Sequence, residues 1–158
     1  MPPTWLPAMV NTDGIWDKFV SRLYQIFKKD FIRQKCYYNS QLVIWDNRKL
    51  SGEKYEEGFW HLITREERST GNRLFDPPRA QRLPWCKPTI ENGNDPVVKV
   101  WEYLESNKRV NTYIWLEAEN YLVIIQKRKS VMFLVSAFVI DGEASKRNLK
   151  GKYQKRVN

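Results

Sequence analysis

The apolar positions along the chain change period several times. From Asn11 to Lys35, Ile15, Phe19, Leu23, Ile26 and Phe27 recur at helical spacing, while Lys18, Arg22 and Lys28 fall largely elsewhere. That pattern predicts an amphipathic helix, with Thr12 or Asp13 as its cap. Gln41–Asp46, "QLVIWD", reads as a short strand, and "FWHLIT", beginning at Phe59, as a second strand-like run. Period two would put Phe59, His61 and Ile63 on one face of that run. A polar connection separates the two, and a loop with Gly71 is expected through Glu67 to Asp76.

Proline in the first turn marks "DPPRAQRLPW" as a helix start, limited by Pro84 and Pro88. "DPVVKVWEYLES" reads as another short helix, with Val97, Val98, Trp101 and Leu104 facing inward. Three β-rich runs with short joins follow: "NTYIWLEA", "NYLVIIQKRK" and "SVMFLVSAFVID". The expectation is an α+β fold of N-terminal helices packed on an antiparallel β-sheet with a C-terminal three-stranded meander. Residues 1–158 would make one domain, with an irregular lead-in over 1–11 and a basic tail over 141–158.

Composition narrows the class. The chain is too apolar and aromatic, at 42% and 14%, to be disordered. No apolar run approaches the roughly 20 residues of a membrane span, and no secretory signal opens the chain, so the expected location is cytoplasmic, without a membrane partner. Cys36 and Cys86 stand fifty positions apart, with no paired Cys or His spacing that would suggest a metal site or a disulfide framework. No phosphate-binding glycine pattern is present, and Glu117 and Glu119 sit at an expected hairpin turn rather than in a converging carboxylate group. No cofactor or metal is therefore implied.

Charge points further. The net charge is +9, and residues 141–158 carry six Lys or Arg against two acids. Such a surplus favours a polyanionic partner, RNA or another nucleic acid. His61 is the one histidine, and an imidazole can exchange protons at neutral pH. Arg65, Arg73, Arg79 and Arg82 are phosphate-binding candidates, because guanidinium forks match phosphate oxygens; Lys127 and Arg128 are further nucleic-acid-binding candidates. Ser136 interrupts an apolar strand; alternation groups it with Leu134 and Phe138, and its hydroxyl either bonds to backbone or faces a phosphate.

The segments "WDKFVSRLYQIFKKDF", "FWHLITRE", "FDPPRAQRLPWCKPTIENG", "YLVIIQKRK" and "FLVSAFVID", in this order, resemble phage- and mobile-element-associated nucleases of the barnase–EndoU–colicin–RelE-like superfamily. The resemblance spans roughly residues 13–150. It implies metal-independent RNA cleavage by attack of the 2′-OH on the adjacent phosphate. Its roles would fall on His61 for proton transfer, Arg65 and Arg79 as phosphate ligands, and Ser136 as the strand hydroxyl. Relatives carry Thr with a nearby Tyr where this chain has Ser136 and Phe138. Tyr121, Lys127 and Glu66 remain alternatives for the second acid–base group. The reading is a metal-independent endoribonuclease and candidate toxin, with a cognate inhibitor or immunity protein as candidate partner. The alternatives are a non-catalytic nucleic-acid-binding module of a phage or mobile element, and a metal-dependent nuclease.

Overall fold

The computed structural model describes residues 2–157. Helix α1, Trp16–Phe27, buries Phe19, Val20, Leu23 and Phe27, the stripe that a 3.6-residue period brings to one side. Its N-cap is Ile15, which is exposed and offers no side-chain hydrogen bond; neither Thr12 nor Asp13 caps the helix. The chain continues through a π-helical stretch, Lys28–Arg33, that buries Phe31 and Asp30. Strands β1, Tyr37–Tyr38, and β2, Gln41–Ile44, form a tight hairpin through Asn39 and Ser40, both at positive φ.

The "FWHLIT" run is not a strand. All of it but Thr64 belongs to helix α2, Glu57–Ile63, which buries Gly58, Phe59, Leu62 and Ile63. A short continuous apolar run fits either period, and here the pairs 58/59 and 62/63 follow the helical one. Beyond α2, strand β3, Thr64–Glu66, pairs with β4, Arg73–Phe75, so the expected loop from Glu67 to Asp76 is the turn and second strand of a hairpin. Helix α3, Pro77–Gln81, starts where the prolines predict it, capped by Asp76, whose side chain accepts from the Arg79 amide at 3.3 Å. A 3₁₀ turn, Leu83–Trp85, leads into α4, Cys86–Glu91.

The expected helix after Asp95 is instead strand β5, Val98–Leu104. Val98 joins one core cluster and Trp101 the other, so the segment follows the strand period, and Val97 and Leu104 are exposed rather than inward. The three β-rich runs form β6, Val110–Leu116, β7, Tyr121–Arg128, and β8, Val131–Val139, as consecutive antiparallel strands. With β5 the meander has four strands.

The protein is α+β, with sheet order β1-β2-β8-β7-β6-β5. The sheet is mixed rather than antiparallel, because β2 runs parallel to β8, pairing Val43 with Met132 and Ile44 with Phe133. A parallel pair needs a long crossover. Helices α2, α3 and α4, the β3–β4 hairpin and the rest of the meander lie between these strands in sequence, so local patterning did not reveal it. The sheet curls, since Tyr38 and Gln41 from one edge line the same cavity as Val100 and Glu102 from the other.

One core cluster joins residues of α1 through α4 to Ile114, Val123, Ile125 and Leu134. On the opposite face Trp101, Tyr113, Trp115 and Leu122 pack with Leu149 and Tyr153 of α5, Glu143–Gln154. The basic tail is therefore largely a helix docked on the sheet. Among the described residues, no helix is long and apolar enough to cross a membrane.

Candidate functional site

Strand β2 stops pairing with β8 after Ile44, while β8 runs on to Val139. The two parallel strands thus part at their carboxyl ends, and α2 covers the fork. A cavity of about 240 Å³ lies there, lined by Asp46, Gly58, His61, Leu62, Phe133, Leu134 and Val135. Crevices beyond the carboxyl ends of diverging parallel strands are recurrent ligand sites in open α/β sheets. Gly58 permits the close approach of α2: a Cβ there would stand 2.9 Å from the Asp46 carbonyl oxygen, which already accepts the Gly58 amide at 2.7 Å.

His61 is half-buried in the last turn of α2. Glu57 lies one turn earlier on the same face, with Oε1 3.9 Å from His61 Nε2. Burial lowers the imidazole pKa below its usual value, and Arg73 pushes the same way; Glu57 and Asp46 pull back, and Arg79 adds to the lowering. The imidazole is thus held neutral at pH 7, the form that accepts a proton. Asp46 is held ionised below the usual carboxylate range, chiefly by Arg48, whose Nε and Nη2 reach Oδ1 and Oδ2 at 2.9 and 2.6 Å.

Two of the predicted phosphate arginines do other work. Arg79 Nη1 donates to the carbonyl oxygens of His61 and Thr64 at 3.1 and 2.8 Å, and its Nε lies 3.4 Å from Asp76. Arg73 Nε donates to Thr64 Oγ1, and Nη2 to the Thr64 carbonyl, both at 2.8 Å. The last carbonyls of a helix lack intrahelical partners and carry partial negative charge, so two cations there fasten the end of α2. Arg82 is also engaged: it donates to the Pro78 carbonyl at 3.1 Å and lies over the Trp85 ring. Arg65 is exposed on β3, opposite Leu74, and acts on Arg79 electrostatically.

Ser136 does not line the fork cavity. A bulge lies between Ile124 and Ile125: Ile124 pairs with Ser136 and Ile125 with Leu134, leaving Val135 as the extra residue. The bulge resets alternation, so Leu134 and Ala137 join the helix-side core, while Ser136 shares the face of its partner Ile124, which packs toward α5. The expected grouping of Ser136 with Leu134 fails for that reason. Lys127 lines a separate cavity, and Arg128 donates to Gln126 Oε1 at 3.0 Å with its guanidinium over Phe133. Of the three second-group candidates, Tyr121 is fully buried with its pKa far above normal, mainly through burial. Glu66 is exposed on β3.

Glu57 and Asp46 were not singled out from sequence. Glu57 carried a usable signal, an acid four residues before the histidine, but only a helical reading of that segment exposes it. Among the described residues, no group of three or more His, Cys, Asp or Glu is placed to hold a metal ion. No protein-family model, curated protein or solved structure matches the chain. The nuclease resemblance therefore rests on the residues quoted for it.

Proposed function

We propose that the protein is a metal-independent endoribonuclease in which His61 takes the proton from the attacking 2′-OH. The carrying observation is the placement of the His61 imidazole in the fork cavity, 3.9 Å from the Glu57 carboxylate; burial and Arg73 lower its pKa, which favours the neutral, proton-accepting form. As His61 accepts the proton, the Glu57 carboxylate stabilises the imidazolium electrostatically. The 2′-oxygen bonds to phosphorus and the 5′-oxygen leaves, giving a 2′,3′-cyclic phosphate and a 5′-hydroxyl. Arg73 and Arg79, fixed behind His61, supply a positive field that costs no reorganisation as phosphorane charge develops. The leaving oxygen receives its proton from water, since Tyr121 is sealed in the core and Glu66 does not line the cavity. Helices followed by an antiparallel meander, as in the superfamily, support the reading, as does the net charge of +9. A cognate inhibitor or immunity protein would be its partner.

A specific observation favours the second reading, a nucleic-acid-binding module without catalysis. Hydrogen-bonding nitrogens of Arg73 and Arg79 are committed to the α2 terminus, so the cavity has no guanidinium fork dedicated to a phosphate. Incubation of purified protein with total RNA in EDTA decides between them. Cleavage leaving cyclic phosphate ends, reduced about 100-fold or more in His61→Ala, is expected of the enzyme. Intact RNA that nevertheless binds the protein would leave only the second reading.

A further inference from the structure

The β5–β6 and β7–β8 hairpins close at the same end of the sheet, because Leu104 pairs with Val110, Asn111 with Gln126, and Arg128 with Val131. The two tips are about 10 Å apart across the sheet, two strand spacings. They bring together Lys108, Arg109, Lys127, Arg128 and Lys129. Each tip also carries a lysine in the left-handed region, Lys108 at φ 71° and Lys129 at φ 41°. Glycine fits those positions because it lacks the Cβ that clashes there, and asparagine tolerates them through local hydrogen bonding. A strained residue at an exposed tip points to a use for its side chain.

The nearby acid does not neutralise this group. Glu105 Oε2 accepts from Asn111 Nδ2 at 2.8 Å and from the Tyr113 hydroxyl at 2.5 Å, and Oε1 stands 3.8 Å from Lys152 Nζ. The same network orders one of the cations. Gln126 Nε2 donates to Asn111 Oδ1 at 3.1 Å, Gln126 Oε1 accepts from Arg128 Nε, and the Arg128 guanidinium sits 3.9 Å from the centre of the Phe133 ring. Beside the tips opens a cavity of about 510 Å³, lined largely by polar groups that include Lys127, Arg156, Gln41, Thr112 and Glu102. Lys127 and Arg128, adjacent on β7, project from opposite faces of the strand, so the charge wraps around the sheet end.

We propose that this end of the sheet is the phosphate-backbone surface for single-stranded RNA, with Lys108 and Lys129 as exposed contacts and Arg128 as a pre-positioned one. The inference rests on the reading of the chain as an RNA-acting protein. It places the main electrostatic contacts on the hairpin tips, away from the arginines that fasten α2.

The test replaces both strained lysines with the residue their backbone favours. Lys108→Gly/Lys129→Gly is compared with wild type and with Lys108→Arg/Lys129→Arg, all in a His61→Ala background that prevents cleavage. Binding of a fluorescein-labelled single-stranded RNA is read by anisotropy across a salt series. The glycine variant should keep or raise its thermal midpoint, yet bind more weakly. Its log Kd against log salt slope should shrink by about 1.4, roughly 0.7 for each lost phosphate contact. The arginine variant should keep the wild-type slope. An unchanged slope in the glycine variant, with RNA still bound, overturns this surface and leaves the ribonuclease reading standing. Binding to anionic phospholipid vesicles without binding to RNA overturns the surface as an RNA site. Absence of cleavage by wild type in EDTA sinks only the ribonuclease reading, because anisotropy does not depend on cleavage.

Discussion

Arg79 holds the main chain of His61: its Nη1 donates to the His61 carbonyl oxygen at 3.1 Å while the same nitrogen reaches Thr64. An arginine that looks like a phosphate ligand in sequence is thus the clamp that sets where the imidazole stands. Its side chain is 16% exposed, as is that of its ionic partner Asp76. Arg79→Met should therefore destabilise the fold by about 2–3 kcal/mol, the loss expected for charge-assisted hydrogen bonds whose acceptors stay buried. Urea denaturation measures this. A change below about 0.5 kcal/mol would show that the clamp is dispensable.

Gly58 makes a second positional prediction. Its Cβ would meet the Asp46 carbonyl oxygen at 2.9 Å and the Trp45 ring at 3.0 Å. The obstruction is backbone and a packed indole, so α2 itself must move. Gly58→Ala should cost about 1–3 kcal/mol, as overpacking does, despite alanine's better helix propensity. If the variant is as stable as wild type, α2 does not pack this closely on Trp45 and Asp46.

Much of the fold was legible because several segments carry one unambiguous period. Phe19, Leu23 and Phe27 could only be a helix stripe, and the three long β-rich runs had short joins that left few options. The failures have a common cause. "FWHLIT" and "VVKVWEYL" are short and apolar on more than one face, so tertiary packing chose the period. The helix-side core claimed Phe59, Leu62 and Ile63, and pairing with β6 claimed Val98–Leu104. The site followed the same rule. His61 was visible as the single histidine, but Glu57 became its neighbour only once the segment was helical. Ser136 left the predicted group through one inserted residue, Val135, which no periodicity count anticipates.

The two cysteines should be inert in the folded protein. Cys36 and Cys86 are free and buried, at 1% and 0% exposure. Burial pushes the Cys36 thiol up to about 12 and raises Cys86 well above its ordinary value. The thiolate is the nucleophile, so neither should react with iodoacetamide at pH 8 until denaturant is added. The folded state keeps protons that the unfolded thiols lose, so these groups make stability fall as pH rises above the ordinary thiol pKa of about 8.5. Rapid labelling of two equivalents in native buffer would contradict the burial of both side chains.

The pH behaviour of His61 ties stability to the proposed chemistry. Its folded pKa lies below the free value of about 6.5, with burial the largest cause and Arg73 the next. Between those two values the unfolded chain binds the proton and the folded chain does not. The contribution to stability is therefore fully present above about pH 6.5 and is lost as pH falls through the folded pKa. Neighbouring charges should tune the titration in opposite directions. Glu57→Gln removes a group that raises the pKa and should lower it further; Arg73→Gln removes one that lowers it and should bring it back toward 6.5. Imidazole proton shifts followed by NMR across pH 4–8 give both values. If His61 is the base, the acidic limb of the kcat/KM profile must move with the NMR pKa in each variant, down for Glu57→Gln and up for Arg73→Gln. A limb that stays fixed while the imidazole titration moves would assign the proton transfer to another group and leave His61 as a structural residue of α2.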